Sequence, residues 1–203
     1  MKKAQVLVLA LAVLCGLNAM SGAQQPDSAE VNAAKPKPSP QEVYSGARQM
    51  MLRGSRAKFG LPPGSLPTEP WGIVMDEGLE KGTFTTVAIC DGSASLYFSN
   101  GGGYIGGKGQ EPIRKAAESA VRVARDFQPK MKATNDFPVP EKGQVIFYVM
   151  TDSGIFAANA AEADLKAHLA PFFPLWGAMQ NVITEYRLWD QGGRKGGGGT
   201  LVR

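Results

Sequence analysis

Two β-rich runs separated by an Asp-Gly pair constrain the fold of this chain more than any other feature. The first run, Thr83 to Cys90, is rich in Thr, Val and Ile, and in the second, Ser93 to Ser99, Leu96 and Phe98 alternate with Tyr97. Asp91 and Gly92 lie between them, and both residue types tolerate the positive φ of a two-residue hairpin turn. The sequence therefore predicts an antiparallel hairpin here.

An amphipathic helix is predicted from Glu111 to Phe127. Apolar residues recur there at every third or fourth position, and charged residues occupy the opposite face. The apolar set is Ile113, Ala116, Ala117, Ala120, Val121, Ala124 and Phe127. Two further helices are predicted from Pro40 to about Arg53, where Ser39 provides a cap, and from Pro174 to Trp189.

Three more strands complete the predicted elements. They are Trp71 to Met75, Gln144 to Thr151 and Gly154 to Ala158. All the strand connections that look tight are hairpins, which favours a mainly antiparallel sheet. We therefore predict an α+β domain with about five strands flanked by helices.

The first 23 residues have the order of a secretory signal peptide. Lys2 and Lys3 precede an apolar run, and small residues lead to a cleavage point after Ala23. The run is shorter than the roughly 20 residues of a membrane span, and no later segment is long enough. We therefore predict an exported protein, periplasmic or secreted, without a transmembrane segment. Cys15 suggests lipoprotein processing as an alternative, but Leu14 stands where a lipobox has a small residue, so a lipid anchor is not expected.

Composition divides the rest of the chain into three parts. Residues 24–39 are rich in Pro and Ala and predict a disordered linker, whereas the glycine-rich basic tail, residues 192–203, predicts a second disordered segment. Residues 40–191 then form a single domain. Once the leader is removed, Cys90 is the only cysteine, so packing rather than an intramolecular disulfide must hold the fold.

The net charge of +4 comes from the two ends of the chain. Lys2 and Lys3 lie in the leader, and three more cations, Arg194, Lys195 and Arg203, lie in the tail. The body between them carries a net charge of about −1, which is not the pattern of a nucleic-acid-binding domain.

The segment Gly101 to Gly107 is the most distinctive motif. Gly101, Gly103 and Gly106 fit the G-x-G-x-x-G spacing of dinucleotide sites, but Lys108, Gly109 and Gln110 intervene before the helix that should begin inside the motif. A turn is the commoner interpretation. Tyr104 on this segment either anchors a partner or folds back on the core. The candidate contact residues of the glycine segment for a partner or small ligand are Gly101, Gly102, Gly103, Tyr104, Gly106, Gly107 and Lys108.

Residues that carry catalysis or bind metals are sparse. The chain has one histidine, His168, and no G-x-S-x-G motif, so a hydrolase would have to combine His168 with Ser153. Asp76, Glu77 and Glu80 suggest at most a weak oxygen site, and a solvated turn explains them better. No catalytic residue, cofactor or metal site is therefore predicted.

The residues Ser95 to Gly107 resemble a motif in a family of small bacterial proteins of unknown function. Trp71 to Met75, Phe147 to Thr151 and Val182 to Arg187 extend the resemblance, which implies no activity. The element order is also similar to the profilin-like fold of roadblock/LC7 proteins, which are cytoplasmic dimerising scaffolds. The predicted export signal departs from that setting, and likeness of fold does not assign function.

Three functions are consistent with these observations. The leading hypothesis is a non-enzymatic exported domain that binds a protein partner or forms a homodimer through the glycine segment. The second is a small-ligand or anion-binding domain that uses the amides of Gly101 to Gly107 and the ammonium group of Lys108. The third is a hydrolase that uses Ser153 and His168.

Overall fold

A computed structural model describes residues 38–192 and the backbone of residues 200–202. The helices are α1 (Pro40–Leu52), α2 (Glu111–Phe127), α3 (Glu162–Lys166) and α4 (Phe173–Gln191). The strands are β1 (Gly72–Leu79), β2 (Gly82–Ile89), β3 (Ala94–Phe98), β4 (Gly103–Ile105), β5 (Lys132–Thr134), β6 (Gln144–Thr151), β7 (Gly154–Ala161) and β8 (Thr200–Val202). The predicted leader, with Cys15, and residues 24–37 of the predicted linker lie outside the described residues.

All strands belong to one antiparallel sheet in the order β5-β7-β6-β1-β2-β3-β4-β8. The predicted α+β class is confirmed, but the predicted count of about five strands is too low because the described residues contribute eight strands to the sheet. The three additional strands, β4, β5 and β8, contain three residues each. A strand this short shows no alternation of apolar and polar residues, so the sequence pattern does not reveal it.

Helices cover both faces of the sheet because side chains alternate along each strand. On β1, Val74 faces α1, where it packs with Tyr44 and Leu52. Ile73 and Met75 point to the opposite face and join the larger core beneath α2 and α4. The two cores therefore share the central strands, and every residue of β1 except Leu79 is buried.

The ends of α1 and α2 agree with the sequence predictions. Ser39 and Glu42 form a capping box, in which the Ser39 amide donates to Glu42 Oε2 at 2.7 Å and the Glu42 amide donates to Ser39 Oγ at 3.3 Å. Helix α2 has the predicted bounds. Its buried alanines, among them Ala117 and Ala120, allow it to lie close to the sheet and α4.

The predicted hairpin between β2 and β3 is confirmed. Gly92 has φ of 83°, and the Ser93 amide donates to Asp91 Oδ1 at 2.9 Å, which fixes the turn. Strands β1 and β7 continue past their predicted ends at Met75 and Ala158 because pairing with β2 and β6 extends them. In the described part of the chain, no helix is long and apolar enough to cross a membrane.

Candidate functional site

The glycine segment forms the β3–β4 hairpin rather than a loop that leads directly into a helix. Gly101 and Gly102 make the turn with φ of 108° and 82°, and Gly103 begins β4. A Cβ atom at Gly103 would collide with the carbonyl oxygen of Leu96 on the paired strand. Glycine is therefore needed here for the turn and for the close approach of two backbones.

Backbone geometry decides which side of β4 is open to another strand. The Phe98 amide donates to the Gly102 carbonyl at 3.1 Å. Hydrogen bonding alternates from residue to residue in an antiparallel ladder, so the backbone amide and carbonyl of Tyr104 face β3. Gly103 and Ile105 consequently direct their amide and carbonyl groups to the opposite side, which we call the β4 edge.

The β4 edge is paired with β8. Gly103 lies opposite Val202 and Ile105 lies opposite Thr200. Strand β8 belongs to the tail that the sequence predicted as disordered. The connection 193–199 between α4 and β8 lies outside the described residues. The β4 edge thus accepts an extended segment in antiparallel orientation.

Tyr104 folds back on the core, one of the two alternatives that the sequence left open. Its half-buried ring lies 5.6 Å from the ring of Tyr186 and 6.1 Å from that of Trp189, both on α4. Gly107 lies against the same helix, since a Cβ atom there would meet the Tyr186 hydroxyl and Ile113. The segment is therefore fixed to α4 as well as to β3.

Lys108 is engaged by an acidic neighbour. Its Nζ atom lies 2.7 Å from Asp91 Oδ2. Burial opposes the charge on Asp91, but hydrogen bonds from Lys108 and the Ser93 amide hold the pKa of that carboxyl below its ordinary value. The short 3-10 turn Gly107–Gly109 separates the glycines from α2. Lys108 therefore pairs with Asp91 from a turn that is separate from the β3–β4 hairpin.

A small apolar pocket of about 240 Å³ lies between the start of α2 and the end of α4. Its lining residues are Gln110, Pro112, Ile113, Glu185, Leu188 and Trp189. The pocket adjoins the glycine segment because the Trp189 ring contacts Tyr104. Leu188 is 50 % exposed at the pocket and Ile105 is 43 % exposed on β4, so apolar surface lies beside the β4 edge.

Ser153 and His168 are not brought together. Ser153 immediately precedes β7, whereas His168 follows α3 beyond the other end of that strand. An eight-residue strand spans roughly 25 Å. The His168 ring stacks on Phe173 at 3.9 Å, and the Ser153 hydroxyl lies 2.9 Å from the Thr151 hydroxyl. Within residues 38–192, Ser153 and His168 therefore do not form the nucleophile–base contact that nucleophilic catalysis requires.

The acids considered for a weak metal site lie in or beside β1 rather than in a common solvated turn. Asp76 and Glu77 point to opposite faces of β1, where Asp76 binds Arg48 and Glu77 binds Trp176 and Gln180. No cluster of potential metal ligands occurs among the described residues. Arg48, Trp176 and Gln180 lie 28, 99 and 103 residues from the acids they bind, so local sequence patterns do not reveal these contacts.

Comparisons with protein-family models, with curated proteins and with solved structures find no match to this chain.

Proposed function

We propose that this chain is an exported, non-enzymatic domain that binds an extended segment of a protein partner along the β4 edge. The observation that supports the proposal is the pairing of β4 with Thr200–Val202, which provides a template for the geometry of such a segment. Addition of a strand to a sheet edge is a general mode of peptide recognition. The predicted resemblances to uncharacterised bacterial proteins and to profilin-like roadblock/LC7 domains remain predictions, and the proposal does not depend on them.

The energetics of β8 favour its exchange for a partner. Three paired residues contribute few hydrogen bonds, each worth about 0.5–1.5 kcal/mol net. Ordering each residue costs about 1–2 kcal/mol, and the connection 193–199 contains five glycines. The free energy gained from these hydrogen bonds and the entropic cost of ordering β8 are similar in size. Strand β8 therefore acts as an intramolecular competitor that a partner segment displaces.

The adjoining pocket supplies side-chain selectivity. Backbone pairing is independent of sequence, so a specific partner needs a further contact. Pro112, Ile113, Leu188 and Trp189 give the pocket its apolar lining, and the pocket volume suits one large side chain. The proposed partner segment is therefore extended and carries an apolar residue that enters this pocket.

The test uses the full chain with β8 disabled by the double substitution Thr200→Pro and Val202→Pro. By the alternation of the ladder, these two amides face β4, and proline removes both donors. A synthetic peptide with the sequence of residues 198–203 is then titrated into the labelled variant. We expect NMR shifts at the amides of Gly103 and Ile105, and slower hydrogen exchange at both.

Two substitutions at one position provide the matched control. Ile105→Pro removes an amide that faces β8 while leaving the β3 side paired, whereas Ile105→Ala keeps that amide. Peptide binding should be lost in the first variant and kept in the second. Equal binding to both variants, or no shift at Gly103 and Ile105, would contradict the proposal.

Selectivity is tested with a display library of random 12-residue peptides selected on the β8-disabled chain. Selected peptides should share an apolar position and should bind at least tenfold more weakly to Leu188→Glu. Leu169→Glu is the control, because Leu169 is 76 % exposed and does not line the pocket. Peptides that bind equally to the β8-disabled chain, to Leu188→Glu and to Leu169→Glu would show that the pocket does not contribute to peptide binding.

A further inference from the structure

A second cleft, of about 420 Å³, lies between the segment Pro62–Pro70 and α2. Val121 lines it on the α2 side, Pro62 and Pro63 line it on the opposite side, and Cys90 borders it at the end of β2. We call it the Arg122 cleft. Its volume lies within the range of small-molecule sites, about 300–1,000 Å³. The cleft does not include the β4 edge or its pocket.

Buried arginine contacts hold one wall of the Arg122 cleft in place. Arg56 is 8 % exposed, and its guanidinium donates to the Pro62 carbonyl at 3.2 Å and the Glu69 carbonyl at 3.1 Å. Its Nε atom lies 2.9 Å from Asp152 Oδ2. These bonds fix both ends of the proline-rich segment before any ligand binds, which lowers the entropic cost of binding.

Glu69 ties the same segment to α2. Its Oε1 atom accepts from Arg125 Nη2 at 2.7 Å, and its Oε2 atom accepts from the Ser65 amide at 2.7 Å. Both carboxylate oxygens are thus occupied, and these contacts lower the pKa of Glu69 although the slight burial of the group opposes them. The cleft walls therefore have a fixed separation, and Glu69 is not available to a ligand.

One cation at the cleft is uncompensated. The carboxylate of Glu118 pairs with Arg114 at 2.8 Å, and Arg125 pairs with Glu69. Arg122 is exposed at the cleft, one turn before Arg125, and has no hydrogen bond or ion pair with any residue in 38–192. The planar guanidinium group of Arg122 holds five hydrogen-bond donors in an arrangement that matches a carboxylate or phosphate.

The cysteine at the cleft does not oppose an anion. Burial raises the pKa of the Cys90 thiol, with nearby Arg56 acting in the opposite direction. The raised pKa favours the uncharged thiol, and Cys90 gives the cleft a half-buried reporter group.

We propose that the Arg122 cleft binds a small organic anion. Its carboxylate or phosphate group would pair with the guanidinium of Arg122, and its carbon skeleton would pack against Val121 and the facing prolines. This site is independent of the strand-binding function proposed above, and either can fail without the other.

Isothermal titration of the full chain with citrate and with glycerol 3-phosphate tests the proposal, and glycerol serves as the neutral control. At least one anion should bind with a Kd below about 1 mM at low ionic strength, and glycerol should not. Arg122→Gln should weaken binding roughly tenfold or more, as expected for loss of a charge-assisted hydrogen bond. Arg187→Gln, which removes an exposed arginine on α4 outside the cleft, should leave binding unchanged.

Alkylation of Cys90 by iodoacetamide, followed by mass spectrometry of the peptide that contains it, reports the location of binding. A saturating anion should slow this reaction in the parent chain and have no effect in Arg122→Gln. Binding of citrate alone would identify a carboxylate ligand, and binding of glycerol 3-phosphate alone a phosphate ligand. Absence of binding by both, or an equal loss in Arg187→Gln, would overturn the proposal.

Discussion

Arg48 of α1 binds Asp76 of β1 through two nitrogen atoms, with Nε 2.8 Å and Nη2 2.6 Å from the same carboxylate oxygen. Both side chains are buried. The Thr85 hydroxyl donates to the other oxygen of Asp76, and Arg48 donates to the carbonyls of Phe137 and Pro138. The pair therefore fastens α1 and the segment before β6 to the centre of the sheet.

Removal of one member of this pair should be strongly destabilising. Arg48→Met leaves the Asp76 carboxylate buried without its cation, which costs about 3–5 kcal/mol of unfolding free energy. Urea denaturation followed by circular dichroism measures the loss. The double variant Arg48→Met with Asp76→Leu should recover part of it, because no buried charge remains. A single variant that loses less than about 1 kcal/mol would show that the pair contributes little.

Glu77, the next residue on β1, should make stability depend on pH in a particular direction. Burial raises the pKa of Glu77, although Trp176 and Gln180 donate to it and lower the pKa in part. The folded state therefore holds this proton more tightly than the unfolded state, whose carboxyl titrates at about pH 4.3. Its contribution to stability is present below that pH and is lost as the pH rises through the folded pKa.

Glu77→Gln should remove this dependence. The amide oxygen of glutamine can still accept from Trp176 and Gln180, but no charge develops in the core. We expect the variant to gain stability relative to the parent chain as pH increases from 4 to 7, measured by thermal denaturation at each pH. A difference between the two proteins that is constant with pH would contradict this assignment.

The predictable parts of the fold are those set by local sequence. Helix α2 has the bounds that its three- and four-residue apolar spacing predicts, and Ser39 caps α1 as expected. Strand β4 is not predicted from the sequence, because glycine is disfavoured in strands and the extended backbone comes from pairing with β3 and β8. The same pairing gives the spacing of these glycines a structural explanation, because Gly101 and Gly102 form the hairpin turn and Gly103 lies against Leu96.

The candidate sites depend on tertiary contacts to a greater extent than the helices and strands do. The sequence singled out Tyr104, but its position on Tyr186 follows from the packing of α4 against the sheet. The Arg122 cleft brings together Pro62, Cys90 and Arg122 from three separate segments. Nothing in the local pattern around any of these residues indicates that they share a cleft.

Two glycines offer a matched test of the β3–β4 hairpin. Gly103→Ala introduces a Cβ atom that collides with the Leu96 carbonyl, at a φ of 154°, and should destabilise the chain by more than about 1 kcal/mol. Gly177→Ala, within α4 where a Cβ atom meets nothing within 4 Å, should stabilise it by about 0.5–1 kcal/mol. Chemical denaturation measures both, and equal effects would contradict the hairpin geometry.

Tyr104→Ala should reduce stability as well as any partner binding. The ring packs on Tyr186 and Trp189, and removal of a half-buried aromatic side chain costs about 1–3 kcal/mol. Ile105→Ala is the control, since that neighbouring side chain is 43 % exposed and should lose less. If Tyr104→Ala leaves the midpoint of urea denaturation unchanged, the ring does not pack on α4 in solution.

Self-association should be weak and should require the β4 edge. Two copies that exchange Thr200–Val202 would form between chains the same pairs that β8 forms within one chain. The monomer, in which β8 pairs with its own β4, therefore prevails until the protein concentration approaches the millimolar effective concentration of a tethered segment. Sedimentation equilibrium should therefore show a monomer at micromolar concentration and a growing dimer near 1 mM. Deletion of residues 196–199 shortens the connection and should increase the dimer, because a short connection disfavours the closed form. Ile105→Pro should abolish the dimer and Ile105→Ala should keep it, whereas a dimer that persists in Ile105→Pro would have to use another surface.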